Sequence, residues 1–198
     1  SVYINKGDHY SEEEIIAKVG LPCFVKPNRS GSSLGISKVH QQSELDAAMQ
    51  KAFHEDKEVL IESFLDGTEV SVGVLNYKGE SMVLGITEIV SHTEFFDYDA
   101  KYNGLSDEIT PARLSEEVEQ RVREVAAKAY SCLNMTGFSR SEYIIVNGEP
   151  HFIEMNTLPG FSPASIFSLY SAKAGIALEV LMVSEIELAL NRKSPWTE

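Results

Sequence analysis

Apolar positions recur along the chain with two different periods. Ile15, Ile16 and Val19 follow Ser11 and Glu12-Glu13-Glu14 at helical spacing, which predicts a capped helix with acids in its first turn, ending at Gly20. Residues 22–26 read as a strand, 28–35 as a Gly-Ser loop and 36–39 as a returning strand, so the three together make a flap. Leu45, Ala48, Met49 and Ala52 predict a second helix over 43–53. A mostly apolar strand over 59–65 is turned by Asp66-Gly67 into a stretch with Val70, Val72 and Val74 on one face and Glu69 and Ser71 on the other. Another strand over 82–90 follows Lys78-Gly79. Regular patterning stops over 91–111, where Phe95, Phe96, Tyr98 and Tyr102 crowd, and a long loop inside a compact domain is usually functional. The longest helix spans 115–134, capped by Ser115 and burying Val118, Val122, Val125, Ala126 and Ala129. Two further helices close the chain. Elements in this order predict an α+β fold, antiparallel sheets with helices packed against them.

Two strand-like stretches, 138–146 and 151–156, carry polar side chains among apolar ones. Arg140 and Glu142 share a face of the first, and Glu154 and Asn156 share a face of the second. Asn147-Gly148 between them signals a hairpin. A two-residue turn there sets Glu154 opposite Ser141, on the other face from Glu142. An odd-length loop, for example three residues with Gly148 at positive φ, brings all four polar residues onto one surface. Two carboxylates and an amide oxygen on neighbouring strands make a hard-cation site of the kind magnesium prefers, so a functional hairpin selects the odd loop. The competing picture is an exposed hairpin with a charged outer face.

With 198 residues, 43% of them hydrophobic, the chain can form one domain or two small lobes sharing a cleft. A formal charge of -13 speaks against nucleic acid or an anionic membrane as partner, and a phosphate ligand then needs locally placed Lys, Arg or metal. Cys23 and Cys132 show no metal or redox spacing and read as buried free thiols of a reducing cytosol. No signal peptide is read at the start. The apolar stretch 176–190, interrupted by Glu179, Glu185 and Glu187, reads as a soluble amphipathic helix.

Charge and patterning leave a few candidates for chemistry. Gly31 and Gly35 permit the tight backbone that points amides at phosphate oxygens, Ser32 and Ser33 add hydroxyls, and Lys26 supplies a positive charge at the strand end. This is not a Walker P-loop, because the lysine precedes the loop and a strand follows it; the plain alternative is a connector. Glu69 is either a solvated strand residue or a carboxylate placed to accept bonds from a ribose. Lys101 and Tyr102 close an aromatic loop that either folds over a site or is a surface loop without a role.

Phe24-Val25-Lys26-Pro27 with Gly31-Ser32-Ser33-Leu34-Gly35, Val59-Leu60-Ile61-Glu62 with Gly67-Thr68-Glu69, Tyr98-Asp99-Ala100-Lys101-Tyr102, Ser139-Arg140, and Glu154-Met155-Asn156-Thr157-Leu158-Pro159-Gly160-Phe161 follow in order. In order and spacing they resemble the D-alanine:D-alanine ligase family of the ATP-grasp superfamily, over nearly the whole chain. The resemblance implies two α+β lobes whose antiparallel sheets hold the nucleotide between them: 1–66 as a small nucleotide-binding lobe, 67–198 as a large lobe with metal and substrate sites. It implies that Lys26 contacts the ATP phosphates beneath a flap that includes Ser32 and Ser33. Glu62 and Leu65 then offer main-chain groups to adenine, Glu69 binds the ribose, and Lys101 reaches the terminal phosphate. Glu142, Glu154 and Asn156 hold two magnesium ions, with manganese as a substitute. Arg140 and the Gly160 amide hold the oxyanion of the tetrahedral intermediate, Ser165 holds the carboxylate of the second D-alanine, and Tyr102 bonded to Ser32 orders the closed loop. Tyr after the loop lysine is the family's pattern for dipeptide rather than D-alanyl-D-lactate formation. The implied activity is cytoplasmic: ATP-dependent joining of two D-alanines through an acyl phosphate, for peptidoglycan precursors, by a homodimer when full length.

The chain departs from the family in two respects. Glu142 stands where the family usually has Asp, which carries the carboxylate about one methylene further. The family's N-terminal domain, and a nucleotide-phosphate lysine expected shortly before residue 1, have no counterpart. Ser1 therefore reads as a cut inside a longer ligase, and the expectation is a chain that binds ATP weakly and does not turn over alone. The competing functions are another ATP-grasp carboxylate:amine ligase, a non-catalytic nucleotide and metal binding module, and a hydrolase using Glu142 and Glu154 as acid and base.

Overall fold

The computed structural model describes residues 1–91, 106–162 and 165–192. They fall into two compact units, one built on Ser1–Asp66 and the other on Gly67–Val90 with Asp107–Glu198.

In the first unit, strands β1 (Val2–Asn5), β2 (Cys23–Pro27), β3 (Ser37–Val39) and β4 (Glu58–Ser63) form an antiparallel sheet in the order β1-β4-β2-β3. Alternation sends Cys23, Val25, Val59 and Ile61 to one face, fully buried with Ile15, Val19, Leu45, Met49 and Ala52 of helices α1 (Glu12–Val19) and α2 (Leu45–Glu55). Helix α1 starts where the Ser11 hydroxyl accepts from the Glu14 N–H, and it stops at Gly20, whose φ of 74° lets its N–H reach the Ile16 carbonyl. Strand β1 is an addition to the elements expected from sequence. Val2 and Ile4 alternate over only four residues, too few for a period of two to stand out.

The second unit holds a sheet in the order β7-β6-β5-β8-β9, from β5 (Thr68–Tyr77), β6 (Glu80–Ser91), β7 (Ser106–Ile109), β8 (Phe138–Val146) and β9 (Glu149–Asn156). Its pairings of β5 with β6 and β8, and of β8 with β9, are antiparallel. Helix α3 (Glu116–Cys132), capped by Ser115, covers one face, where Val70, Val72, Val74 and Tyr143 pack with Val122, Ala126 and Tyr130. Helix α4 (Ile166–Lys173) sets Phe167 and Tyr170 against the other face, and α5 (Leu178–Asn191) follows. Strand β7 falls in the stretch that lacked a pattern, because Ser-Asp-Glu-Ile offers a single apolar residue.

Two smaller expectations fail. Cys23 is buried but Cys132 is exposed, since it sits on the side of α3 away from Val122, Ala126 and Tyr130. Helix α5 buries only Leu181 and leaves Val180, Val183, Ile186 and Leu190 exposed, because its apolar residues run round the helix rather than along one stripe. No single described helix is long and apolar enough to cross a membrane.

Candidate functional site

The β8–β9 hairpin corrects the loop expected from sequence. Val146 pairs with Glu149, so Asn147-Gly148 is a two-residue turn, with φ of 52° and 82°. Both residues are left-handed, as a type I′ turn requires. The polar residues meet nonetheless. Tyr143 lies opposite Phe152 while Glu142 lies opposite Glu154, which leaves Ile153 as an extra residue on β9. That bulge supplies the single-residue shift that an odd loop had been expected to supply. Arg140 consequently faces Asn156, and Glu142 faces Glu154, on one surface.

Glu142 is buried and accepts from Arg140 Nη2 at 2.9 Å. The Nε of Arg140 is buried without a hydrogen-bond partner, and so is the Oγ of Ser71, which stands directly across from Glu142 on β5. Glu69, two residues before Ser71, shares this face by alternation. Beyond β9, Asn156 Oδ1 accepts from the Leu158 N–H at 3.0 Å and so starts the turn into Pro159-Gly160. The Phe161 ring then packs edge-on against Phe138 at 4.3 Å and against Phe167 at 5.1 Å, tying the turn to the sheet and to α4. Gly160 is brought beside Ser165, for a Cβ on Gly160 would lie 3.8 Å from the Ser165 Cβ. Ser165 is the N-cap residue of α4, yet its hydroxyl donates to the Ser162 carbonyl at 2.7 Å instead of capping the helix.

The donors of this face suit a hard divalent cation. Among the described residues no cluster of three or more His, Cys, Asp or Glu forms, so the set is Glu142, Glu154 and the Asn156 amide. All three offer oxygen, Asn156 Oδ1 keeps a second lone pair after serving Leu158, and so few protein donors leave positions for water and phosphate oxygens.

In the first unit the flap is confirmed by β2 pairing with β3, Cys23 opposite Val39. Ser32 and Ser33 take φ of 54° and 57°, and the Leu34 N–H closes their turn on the Gly31 carbonyl at 3.0 Å. Gly35 follows at a φ of 77°, where a Cβ would come within 2.8 Å of Glu55 and 2.9 Å of Pro27. Only glycine fits the base of the flap. Lys26 lies on the sheet face away from the core, its Nζ 2.5 Å from Glu62 Oε2. Two residues expected at different parts of a nucleotide are thus paired with each other. Leu65 lies in the segment after β4, beside Phe64, whose ring carries Lys38 Nζ at 4.4 Å.

Lys101 and Tyr102 lie outside the described residues. The other expected residues form two groups, one in each unit: Lys26, Ser32, Ser33, Glu62 and Leu65 in the first, Glu69, Arg140, Glu142, Glu154, Asn156, Gly160 and Ser165 in the second. Sequence reasoning assigned no role to Ser71 or Tyr170. Gly73 and Gly85, inside strands, were the available signal of a close approach at that point.

Residues 3–187 match the family described as D-ala D-ala ligase C-terminus. A D-alanine--D-alanine ligase of Flavobacterium johnsoniae is 60% identical over 190 residues, which cover 96% of this chain and 59% of that protein. A crystal structure of the Bacillus anthracis D-alanine--D-alanine ligase complexed with ATP superposes with a TM-score of 0.78 at 28% identity, covering 96% of this chain and 59% of that one. The VanG D-Ala:D-Ser ligase of Enterococcus faecalis gives 0.81 at 38% identity, over 94% of this chain and 55% of that one. The chain thus spans under two thirds of the length of each of these three proteins.

Proposed function

The chain belongs to the family of the D-Ala D-Ala ligase C-terminus and has the ATP-grasp fold, and from that premise we propose that it serves the ATP-dependent joining of two D-alanines. The observation that carries this function is the surface on which Arg140 and Glu142 face Asn156 and Glu154. A carboxylate resists attack by an amine, so it is first phosphorylated, and the acyl phosphate then yields to the second amino group. Magnesium bound at Glu142, Glu154 and Asn156, two ions in this proposal, would supply charge neutralisation at the transferred phosphate. Arg140 lies on the same face and offers a guanidinium to the oxyanion that forms on amine attack. Gly160 and Ser165 stand side by side, which supports the Gly160 amide as a second oxyanion donor and Ser165 as the holder of the acceptor's carboxylate. In the first unit, Lys26 and the Ser32-Ser33 turn are assigned to the ATP phosphates, Glu62 and Leu65 to the adenine, and in the second Glu69 to the ribose. Lys101 and Tyr102 complete the set as the loop lysine and its partner. The same proposal carries a cytoplasmic location and a homodimer for a protein of the relatives' full length.

D-serine is the specific rival as second substrate, because one similar structure is a D-Ala:D-Ser ligase. The test is a titration of the 198-residue chain with ATP and Mg²⁺, followed by D-alanine or D-serine with phosphate release as the readout. The expected result is ATP binding that needs Mg²⁺, with no phosphate released by this chain alone. Phosphate release that depends on D-alanine overturns the expectation of inactivity, and release with D-serine only overturns the choice of substrate. Absence of any ATP binding removes the ligase proposal and returns the Glu142 and Glu154 pair to hydrolytic chemistry.

A further inference from the structure

The ring of Tyr170 is wholly buried against the polar face of the second unit's sheet. It lies over a cross-strand pair of glycines. A Cβ on Gly73 would come within 2.4 Å of the ring, and one on Gly85 within 2.5 Å. Neither glycine has a left-handed φ, so what they provide is room rather than an unusual backbone. Glycine is otherwise unfavourable in a strand interior. The slot carries a hydroxyl deep into the sheet, where Tyr170 Oη donates to the Ser71 carbonyl at 2.5 Å.

The position of that hydroxyl matters. Ser71 stands opposite Glu142, and Gly73 stands opposite Arg140. Burial pushes the Tyr170 phenol's pKa upward, with the neighbouring Thr87 and Ser71 groups and the nearby Arg140 charge acting the other way. The phenol therefore stays neutral at any working pH. Beside it, Glu142 holds Arg140 through Nη2 alone, and the buried Nε–H has no acceptor. A buried donor left unpaired is destabilising. A tyrosine oxygen that donates one bond still has lone pairs with which to accept another, here in competition with the Thr87 groups that face it.

We propose that Tyr170 is a positioning residue for Arg140, its oxygen accepting the Nε–H when Arg140 leaves Glu142. This rests on the assignment of Arg140 to the reacting oxyanion. A carboxylate partner cancels the guanidinium charge, whereas a neutral phenol fixes its plane and leaves that charge facing the substrate. Glu142, released, faces Glu154 and Asn156. The Ser71 hydroxyl, unpartnered and on the same face, lies next to this exchange.

The test uses MgATP as the probe on the native chain and on Tyr170→Phe, with the Arg140 Nε–H resonance assigned by its loss in Arg140→Lys. Both chains are expected to bind MgATP with equal affinity. In the native chain MgATP slows exchange of the Nε proton with solvent by about ten-fold, the scale of one hydrogen bond to a charged group, and in Tyr170→Phe it does not. Equal slowing in both chains, or none in a native chain that binds MgATP, overturns the proposal. If the native chain does not bind MgATP, the nucleotide function falls and Tyr170 is judged separately. Glu142→Gln, which removes the charge holding Nη2, then slows the exchange, and adding Tyr170→Phe abolishes the slowing; equal rates overturn the proposal. If Tyr170→Phe does not fold, 3-fluorotyrosine labelling replaces it. The fluorine resonance of a 3-fluorotyrosine placed at position 170 alone moves on MgATP in the native chain and not in Arg140→Lys, and a resonance that stays put in both overturns the proposal.

Discussion

Gly73 and Gly85 show what a single residue position contributes when its Cβ is absent. Gly73→Ala or Gly85→Ala drives a methyl into the Tyr170 ring, and overpacking of this kind costs about 1–3 kcal/mol. Urea denaturation should show that loss, and Tyr170→Leu added to Gly73→Ala should restore part of it. Glu88 is a second residue whose effect is local. Its buried carboxylate takes Arg113 Nε at 2.8 Å and Nη2 at 2.6 Å, and these hydrogen bonds hold its pKa below the usual 4.5. A carboxylate with a depressed folded pKa contributes stability that is present above 4.5 and is lost as the pH falls through the lower folded value. Glu88→Gln should therefore cost on the order of 1–3 kcal/mol at neutral pH. The difference from the native chain should shrink on acidification, as thermal melts across the acid range can show. Neither role was legible in the sequence. An in-strand glycine marks a close approach without naming the partner, and the Glu88–Arg113 pair joins residues far apart in the chain.

Elements were more legible than the contacts between them. The α1 caps, the β2–β3 flap and the valine face of β5 follow from local periodicity and turn chemistry, which act over a few residues. The parity of the β8–β9 hairpin did not follow. Asn147-Gly148 correctly signals a turn, but the shift that joins Glu142 to Glu154 is stored in Ile153, an apolar residue with no bulge signature. A facing constraint can be met in the turn or in the strand, and composition does not say which. Gly148→Ala tests the turn by itself. A Cβ there meets only ordinary contacts at 3.7 Å, so its cost is the left-handed backbone, about 1–2 kcal/mol. Denaturation should register that cost, with Gly148→Asn milder, while Mg²⁺-dependent ATP binding stays at the native level because the bulge is untouched.

At the scale of the whole molecule, each unit has its own core, and among the described residues the buried phenols belong to the second. Tyr130, Tyr143 and Tyr170 are all buried there, whereas Tyr3 and Tyr10 of the first unit are exposed. Desolvation pushes Tyr130 up to about 12, and the Tyr143 and Tyr170 phenols are raised as well. A raised folded pKa means stability that is present below the unfolded value of 10.0 and is lost as the pH rises through the folded one. Thermal melts across the alkaline range should therefore show the native chain losing stability as the pH rises above 10.0, with Tyr130→Phe losing less. The family and the two-sheet α+β architecture were legible because their motifs are contiguous. The Lys26–Glu62 pair, the bulge and the Tyr170 slot were not, because each depends on strands meeting in a particular register. The most direct test of the site is the Mg²⁺ dependence of ATP affinity, measured by calorimetry on the native chain and on Glu154→Ala. Mg²⁺ should strengthen ATP binding to the native chain by about ten-fold or more, the scale of a charged contact, and have no such effect on Glu154→Ala. An unchanged Mg²⁺ dependence in Glu154→Ala would contradict the assignment of the Glu142, Glu154 and Asn156 surface to metal-bound ATP.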